Sequence, residues 1–570
     1  MKMDIKRGIL WFVLVFSLLT LWNKWQVYNG KPSMFAPPVP EQTVPQAPSA
    51  SGNASTPTAT PGAATTAVPG TATSAPVPAE LVTITTDVYK AVFSTEGGQL
   101  THLELLQEKD TKSQWLWDVV MAKLHHDDAE QEPKNEVIFD NTPERTYLAQ
   151  TGLIGQGPDH HTIYTLRPGS RTLDADGKLQ LIFDAEKDGV KLTKTFTFKR
   201  GEYLIDVKHD ITNNNAAPVS PALYLQLVRD GNKPQTARFA PSSFTGAAVY
   251  TDADKFQTVA FDKIEKGKEE HASKADNGWI ALMQHFFVSA FILNGKDPVA
   301  REIYTRKVGT NLYAIGDLVQ LGAVAPGATT SSDATLFTGP EDTALLQSIT
   351  SAHQFELVKD YGFFKVVAQP IFWVMNQIHK VLGNWGWTIV AFTVLMKLVF
   401  FPLSAAQFRS MARMKVLQPK MQAIRERHAA DPQKMNQAMM ELYKTEKVNP
   451  FGGCLPMLVQ MPVFIALYSV LQTSIETRNA PWVGWIHDLS TPDPLSILPV
   501  LMAVTMYLNT KLSPTPADPT QAKVMTIMPL AFSVMFFTFP SGVVLYYVVN
   551  SMLSILQQWL ITKKLNPQTT

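Results

Sequence analysis

The chain has 570 residues, 45% of them hydrophobic and only 17% charged, with 50 Lys+Arg against 49 Asp+Glu and a net charge of +1. That length exceeds one compact unit of roughly 100–200 residues, and the balanced charge excludes a dedicated nucleic-acid binder, so no DNA partner is expected. The lone cysteine, Cys454, excludes an intrachain disulfide framework and any multi-cysteine metal site.

In chain order, Lys2, Lys6 and Arg7 precede an apolar run over residues 8–22, and no small-x-small cleavage site follows. Trp11, Trp22, Trp25 and Tyr28 suit the aromatic belts of a bilayer. Residues 1–30 are therefore expected to be an uncleaved signal anchor with its N-terminus in the cytoplasm. Residues 31–80 are rich in Pro, Ala, Thr, Ser and Gly. They lack the apolar surface to offset chain entropy, which predicts a disordered tether.

Residues 81–350 change character. Runs such as Leu192-Thr193-Lys194-Thr195-Phe196-Thr197-Phe198-Lys199 alternate, and Leu223-Tyr224-Leu225-Gln226-Leu227 and residues 286–293 read as strands. Asp188-Gly189, Asp230-Gly231 and Asn294-Gly295 punctuate them as turns. Many short strands over this length predict a large β-sandwich outside the cytoplasm. In residues 351–380, Phe355, Val358, Tyr361 and Val366 share one helical stripe, while Lys359, Asp360 and Lys365 are too many charges for a span. An interfacial amphipathic helix is expected there, with burial against the β-domain as the alternative.

Five further candidate spans follow at residues 387–403, 455–473, 495–509, 524–539 and 542–561, six with the anchor. Charge placement orients them. Arg409, Arg413, Lys420, Arg425, Lys434 and Lys444 fall between the second and third spans, and Lys563 and Lys564 follow the sixth. The loop after the third span instead carries Glu476, Asp488 and Asp493 against one Arg478. Both termini are thus expected in the cytoplasm. Residues 404–450 read as a cytoplasmic helical hairpin, its second helix started by Asp431-Pro432. Its basic face is either merely solvated or a surface for anionic lipid or ribosomal RNA.

Lys397 stands inside the second span, about 10 Å from its cytoplasmic end. An intramembrane lysine costs ~2.5–3.5 kcal/mol on insertion scales, so it either faces a cavity or snorkels to the surface. Thr393 lies one turn earlier on the same face. Gln460, Thr505, Asn509, Tyr546 and Tyr547 place further polar groups in the other spans, and spans two to six contain no acid. Met457, Met461, Met528 and Met535 are candidates for adaptable apolar contact with a client. Catalytic signals are poor. His125-His126-Asp127-Asp128 and Asp159-His160-His161 lack helical metal-ligand spacing and are expected to be solvated loops. No phosphate-binding loop occurs, and no metal or cofactor is expected.

The stretch Asn449-Pro450-Phe451-Gly452-Gly453-Cys454-Leu455-Pro456-Met457-Leu458-Val459-Gln460-Met461-Pro462-Val463-Phe464 closely resembles a signature of the YidC/Oxa1/Alb3 membrane insertase family, in its Gram-negative bacterial form. So do Phe539-Pro540-Ser541-Gly542-Val543-Val544-Leu545-Tyr546-Tyr547 and Trp485-Ile486-His487-Asp488-Leu489. The resemblance implies a six-span inner-membrane protein whose last five spans (residues 381–565, before a short tail at 566–570) form an α-helical insertase core. It implies a periplasmic supersandwich-like domain, which licenses no sugar ligand by itself. The implied activity is insertion and folding of nascent membrane proteins without covalent chemistry, alone or beside the Sec translocon, with the ribosome meeting the hairpin. Lys397 occupies the place of the family's intramembrane cation, where many relatives have arginine, and Thr393 and Tyr547 match its sensitive polar positions. A solute transporter with Lys397 in its binding site is the alternative. It calls for internal repeats, which are not evident.

Overall fold

The computed structural model describes residues 79–110, 134–142, 144–232, 244–293, 299–349, 352–428, 431–446, 455–512, 527–529 and 531–565. The expected anchor, nearly all of the tether, the His125 cluster, Asn294-Gly295, Cys454 and the tail lie outside these residues.

The strand signals resolve into two nine-stranded antiparallel sheets. Residues Val190–Lys199 alternate buried and half-buried along their whole length, which turns Leu192, Phe196 and Phe198 inward. Asp188 and Gly189, both at positive φ (53° and 70°), make the two-residue turn that returns Lys178–Lys187 into this strand. The central strand Ala222–Asp230 is buried at every position. One face joins the inter-sheet core through Leu223, Leu225 and Leu227, and on the other Ala222, Tyr224 and Val228 pack beside their cross-strand neighbours Ile154, Leu318 and Ala314.

Three basic side chains are buried in this domain. Arg301 pairs with Asp317 at 3.2 Å, both side chains fully buried. Lys194 Nζ donates to the Gly97 and Thr151 carbonyls at 2.6 and 2.7 Å, stitching one sheet to the other, and burial pushes this amine down to about 7. Arg229 lies over the Tyr147 ring. Asp159-His160-His161 is a solvated loop only at His161, which is exposed. Asp159 and His160 are buried, the His160 N–H donates to Tyr224 Oη at 3.0 Å, and Asp159 pairs with Lys187 at 3.1 Å. The cluster is drawn in because Asp159 caps the local turn, accepting from the His161 N–H at 2.8 Å.

The expected stripe of residues 355–366 is divided. Phe355 and Val358 form a 3₁₀ turn sunk in the β-domain core, whereas Tyr361 joins a second, helical core and Val366 is exposed. One continuous helix cannot serve two cores facing different ways. Beyond the short helices α1 (Phe261–Glu265) and α2 (Thr343–Ser348), the amphipathic helix is α3 (Lys365–Leu382), with Ala368, Ile371, Phe372 and Met375 buried at helical spacing.

There follow α4 (Trp385–Val399), α5 (Phe401–Arg427), α6 (Pro432–Thr445), α7 (Leu455–Thr473), α8 (Ile497–Leu512) and α9 (Ser541–Leu565). Among the described residues, Ser541–Ile561 is long and apolar enough to cross a bilayer alone, and α4 with the start of α5 qualifies as a pair bent by 66°. The helix expected over residues 387–403 is thus broken at Phe400. Pro402 in the first turn of α5 has no N–H to continue α4, and Phe400 serves as the end of one helix and the start of the next. α5 and α6 pack together, and Lys420 meets Glu446 at 2.6 Å.

The loop after α7 joins the two cores. Ile475 packs into the β-domain core. Glu476 pairs with Lys359 at 2.7 Å, their side chains only 10% and 2% exposed, and also accepts from Thr343 Oγ1 at 3.0 Å. Lys359 sits over the Phe372 ring of α3. Arg478 donates to Glu136 and to the Lys109 carbonyl, each at 2.8 Å. Neighbouring Glu341 is buried, which pushes its carboxyl well above the usual range.

Candidate functional site

Lys397 lies in the last turn of α4, two residues before the bend, and is 6% exposed. Its Nζ donates to Ser554 Oγ of α9 at 2.7 Å. Ser554 Oγ in turn donates to the Asn550 carbonyl at 2.9 Å. α4, α7, α8 and α9 contain no Asp or Glu, and among the described residues no carboxylate pairs with Lys397. The ammonium is therefore held by a neutral oxygen, where burial makes a bare charge costly.

The other predicted residues divide. Thr393 is buried one turn below Lys397, but its hydroxyl is spent on the Ile389 carbonyl at 2.6 Å. Thr505 likewise bonds within α8, to Met502 O at 2.9 Å. Both contribute bulk and local polarity rather than free donors. Tyr546 is buried in the helical core, to the same degree as Lys397. Tyr547 is half-buried against Phe464 of α7 and Phe536, with ring centroids 4.6 and 4.8 Å away. Gln460 and Asn509 are half-buried. Met461 and Met528 are exposed and Met535 packs at the edge of the helical core, while the Met457 side chain is outside the described residues.

Ser554 was not among the predicted residues, yet the sequence carried a signal for it. Tyr547, Asn550, Ser554 and Gln558 recur at i, i+3, i+7 and i+11, one polar stripe along an apolar helix. Gln558 bonds the Leu512 carbonyl at 3.0 Å, tying the lower end of the stripe to α8.

At the opposite end of α9 two of the sequence motifs meet. Ser541 Oγ donates to the Asp488 carbonyl and the Gly542 N–H to the Leu489 carbonyl, both at 2.9 Å. A side chain at Gly542 would stand 3.1 Å from the Leu489 oxygen, so glycine allows this close approach. Burial raises the Asp488 carboxyl, against the Ser490 hydrogen bonds that lower it.

Comparison with known proteins decides the lineage. A profile for the YidC periplasmic domain matches residues 81–374, and one for the 60Kd inner membrane protein matches residues 377–568. The chain is 53% identical to the membrane protein insertase YidC of Janthinobacterium sp. (strain Marseille), over 99% of both chains. The chain belongs to the YidC family of membrane protein insertases. It is also 51% identical to the YidC of Cupriavidus taiwanensis, covering 99% of this chain and 98% of that one. Family membership makes it an inner-membrane protein whose sheet-rich part is the periplasmic domain. A crystal structure of an active YidC insertase aligns at TM-score 0.39 and 18% identity, over 84% of this chain and 93% of that one.

Proposed function

We propose that this YidC-family insertase works through a hydrophilic, positively charged groove in the cytoplasmic half of the helical region, with Lys397 as its cation. The observation that carries this reading is a buried lysine, on an apolar helix, whose partner is a neutral serine rather than a carboxylate. Dragging a polar tail through hydrocarbon costs several kcal/mol per unsatisfied group. A wet groove reaching partway across shortens the dry path, and its cation attracts acidic groups in the arriving segment. The client's apolar helix leaves along exposed surfaces such as Met461 and Met528, and its burial in lipid supplies the energy without a nucleotide.

In this reading residues 1–30 anchor the chain, 31–80 tether it, and both termini face the cytoplasm. The helices α5 and α6 form the hairpin that meets ribosomes, and nascent chains arrive directly or from the Sec translocon. Reconstituted insertion of clients with acidic tails tests the cation. Lys397→Glu should abolish insertion and Lys397→Arg should retain it, because the charge survives even though the fork geometry of arginine differs. Full activity of the Glu variant sinks the electrostatic role. Crosslinks from α4, α7 and the 527–538 region to a stalled nascent membrane protein are the second expectation.

A further inference from the structure

We infer that Ser554 is the positioning residue of the Lys397 cation and sets how strongly the protein favours clients with acidic tails. The inference rests on the groove reading above and adds to it a residue and a selectivity.

The hydrogen bonds around Ser554 have a fixed direction. Its hydroxyl proton goes to the Asn550 carbonyl at 2.9 Å, one turn back on α9, which leaves its lone pairs facing Lys397 Nζ at 2.7 Å. An ammonium has three donors. Ser554 is the partner found for it among the described residues, so further N–H groups stay available for an incoming carboxylate. Because serine is neutral, it holds the cation without cancelling it. An Asp at the same position would form an ion pair and remove the attraction.

The location makes a tether necessary. Lys397 stands two residues before the end of α4, and Leu398 and Val399 beside it are exposed. A lysine stem this near a helix end snorkels toward water unless something retains it. Ser554 retains it against α9, beside the stripe that Tyr547 and Asn550 begin.

The test uses the full chain reconstituted in liposomes with two clients that differ only in tail charge, acidic or uncharged, and reads the ratio of their insertion. Ser554→Ala should lower that ratio by at least about tenfold, the size of one charge-assisted hydrogen bond. Ser554→Asp should lower it further, and Ser554→Thr should restore it. Each ratio is internal to one variant, so accumulation in the membrane does not distort it. An unchanged ratio in Ser554→Ala and Ser554→Asp, or an equal fall for both clients, overturns the assignment. Lys397→Gln runs alongside. A ratio that survives Lys397→Gln removes the groove reading and this inference together. A ratio that collapses there but persists in both Ser554 variants removes this inference alone.

Discussion

Lys359 and Glu476 are separated by 117 residues and joined by two 2.7 Å contacts that are largely shielded from water. Lys359→Ala strands a buried carboxylate, and the cost should be about 3–5 kcal/mol. The double variant Lys359→Met with Glu476→Gln keeps an acceptor for Thr343 and should recover most of it. Thermal unfolding of the detergent-solubilised chain measures both. Lys194 gives a second expectation at this scale. Its amine is depressed to about 7 when folded, against roughly 10.4 when free. Between these values the unfolded chain holds a proton that the folded chain lacks, so stability rises with pH there, by about 1.4 kcal/mol per unit. Lys194→Met should flatten that slope in midpoints recorded from pH 7 to 10. Sequence showed Lys397 because one cation in an apolar run is visible by hydropathy. It hid the role of Lys359, which read only as one charge too many for a span, because its partner belongs to a distant loop. Ser554 was masked by the frequency of serine in packed membrane helices.

Elements were more legible where one face is wet. The alternation of residues 192–199 named both the strand and its inward side, and the Asp431-Pro432 start of α6 is present as the capping residue and first-turn proline. Strands buried on both faces, such as Ala222–Asp230, show no period, so their place at the centre of a sheet had to come from packing. The stripe across residues 355–366 misled because helical spacing says nothing about whether successive residues seek the same core. At the start of α4, Asn384 accepts from the Trp387 N–H at 3.0 Å and donates to the Pro481 carbonyl at 2.9 Å. It both caps the helix and ties it to the loop before Trp482. Asn384→Ala should cost about 1 kcal/mol, read as a lowered unfolding midpoint, and Asn384→Asp should recover the cap but not the loop contact.

At the scale of the molecule, the two large apolar clusters among the described residues, one in the β-domain and one helical, share no residue. Separate cores predict separable parts. Removing residues 81–325 should leave insertion intact in a reconstituted assay. Extending the cut to residue 360 takes Thr343 and Lys359 from Glu476 and should abolish it. Loss of activity in the shorter deletion, with the protein stably accumulated, counts against separability.

Between those clusters the seam at Glu476 and Arg478 is fastened by polar pegs beside one apolar plug, Ile475. Such pegs act over a few ångströms only, and ions shielded from solvent feel little of the surrounding electrolyte. The periplasmic half should therefore stay pinned in brine as firmly as in dilute buffer. When it yields, it should unlatch in one step, with no gradual tilting beforehand.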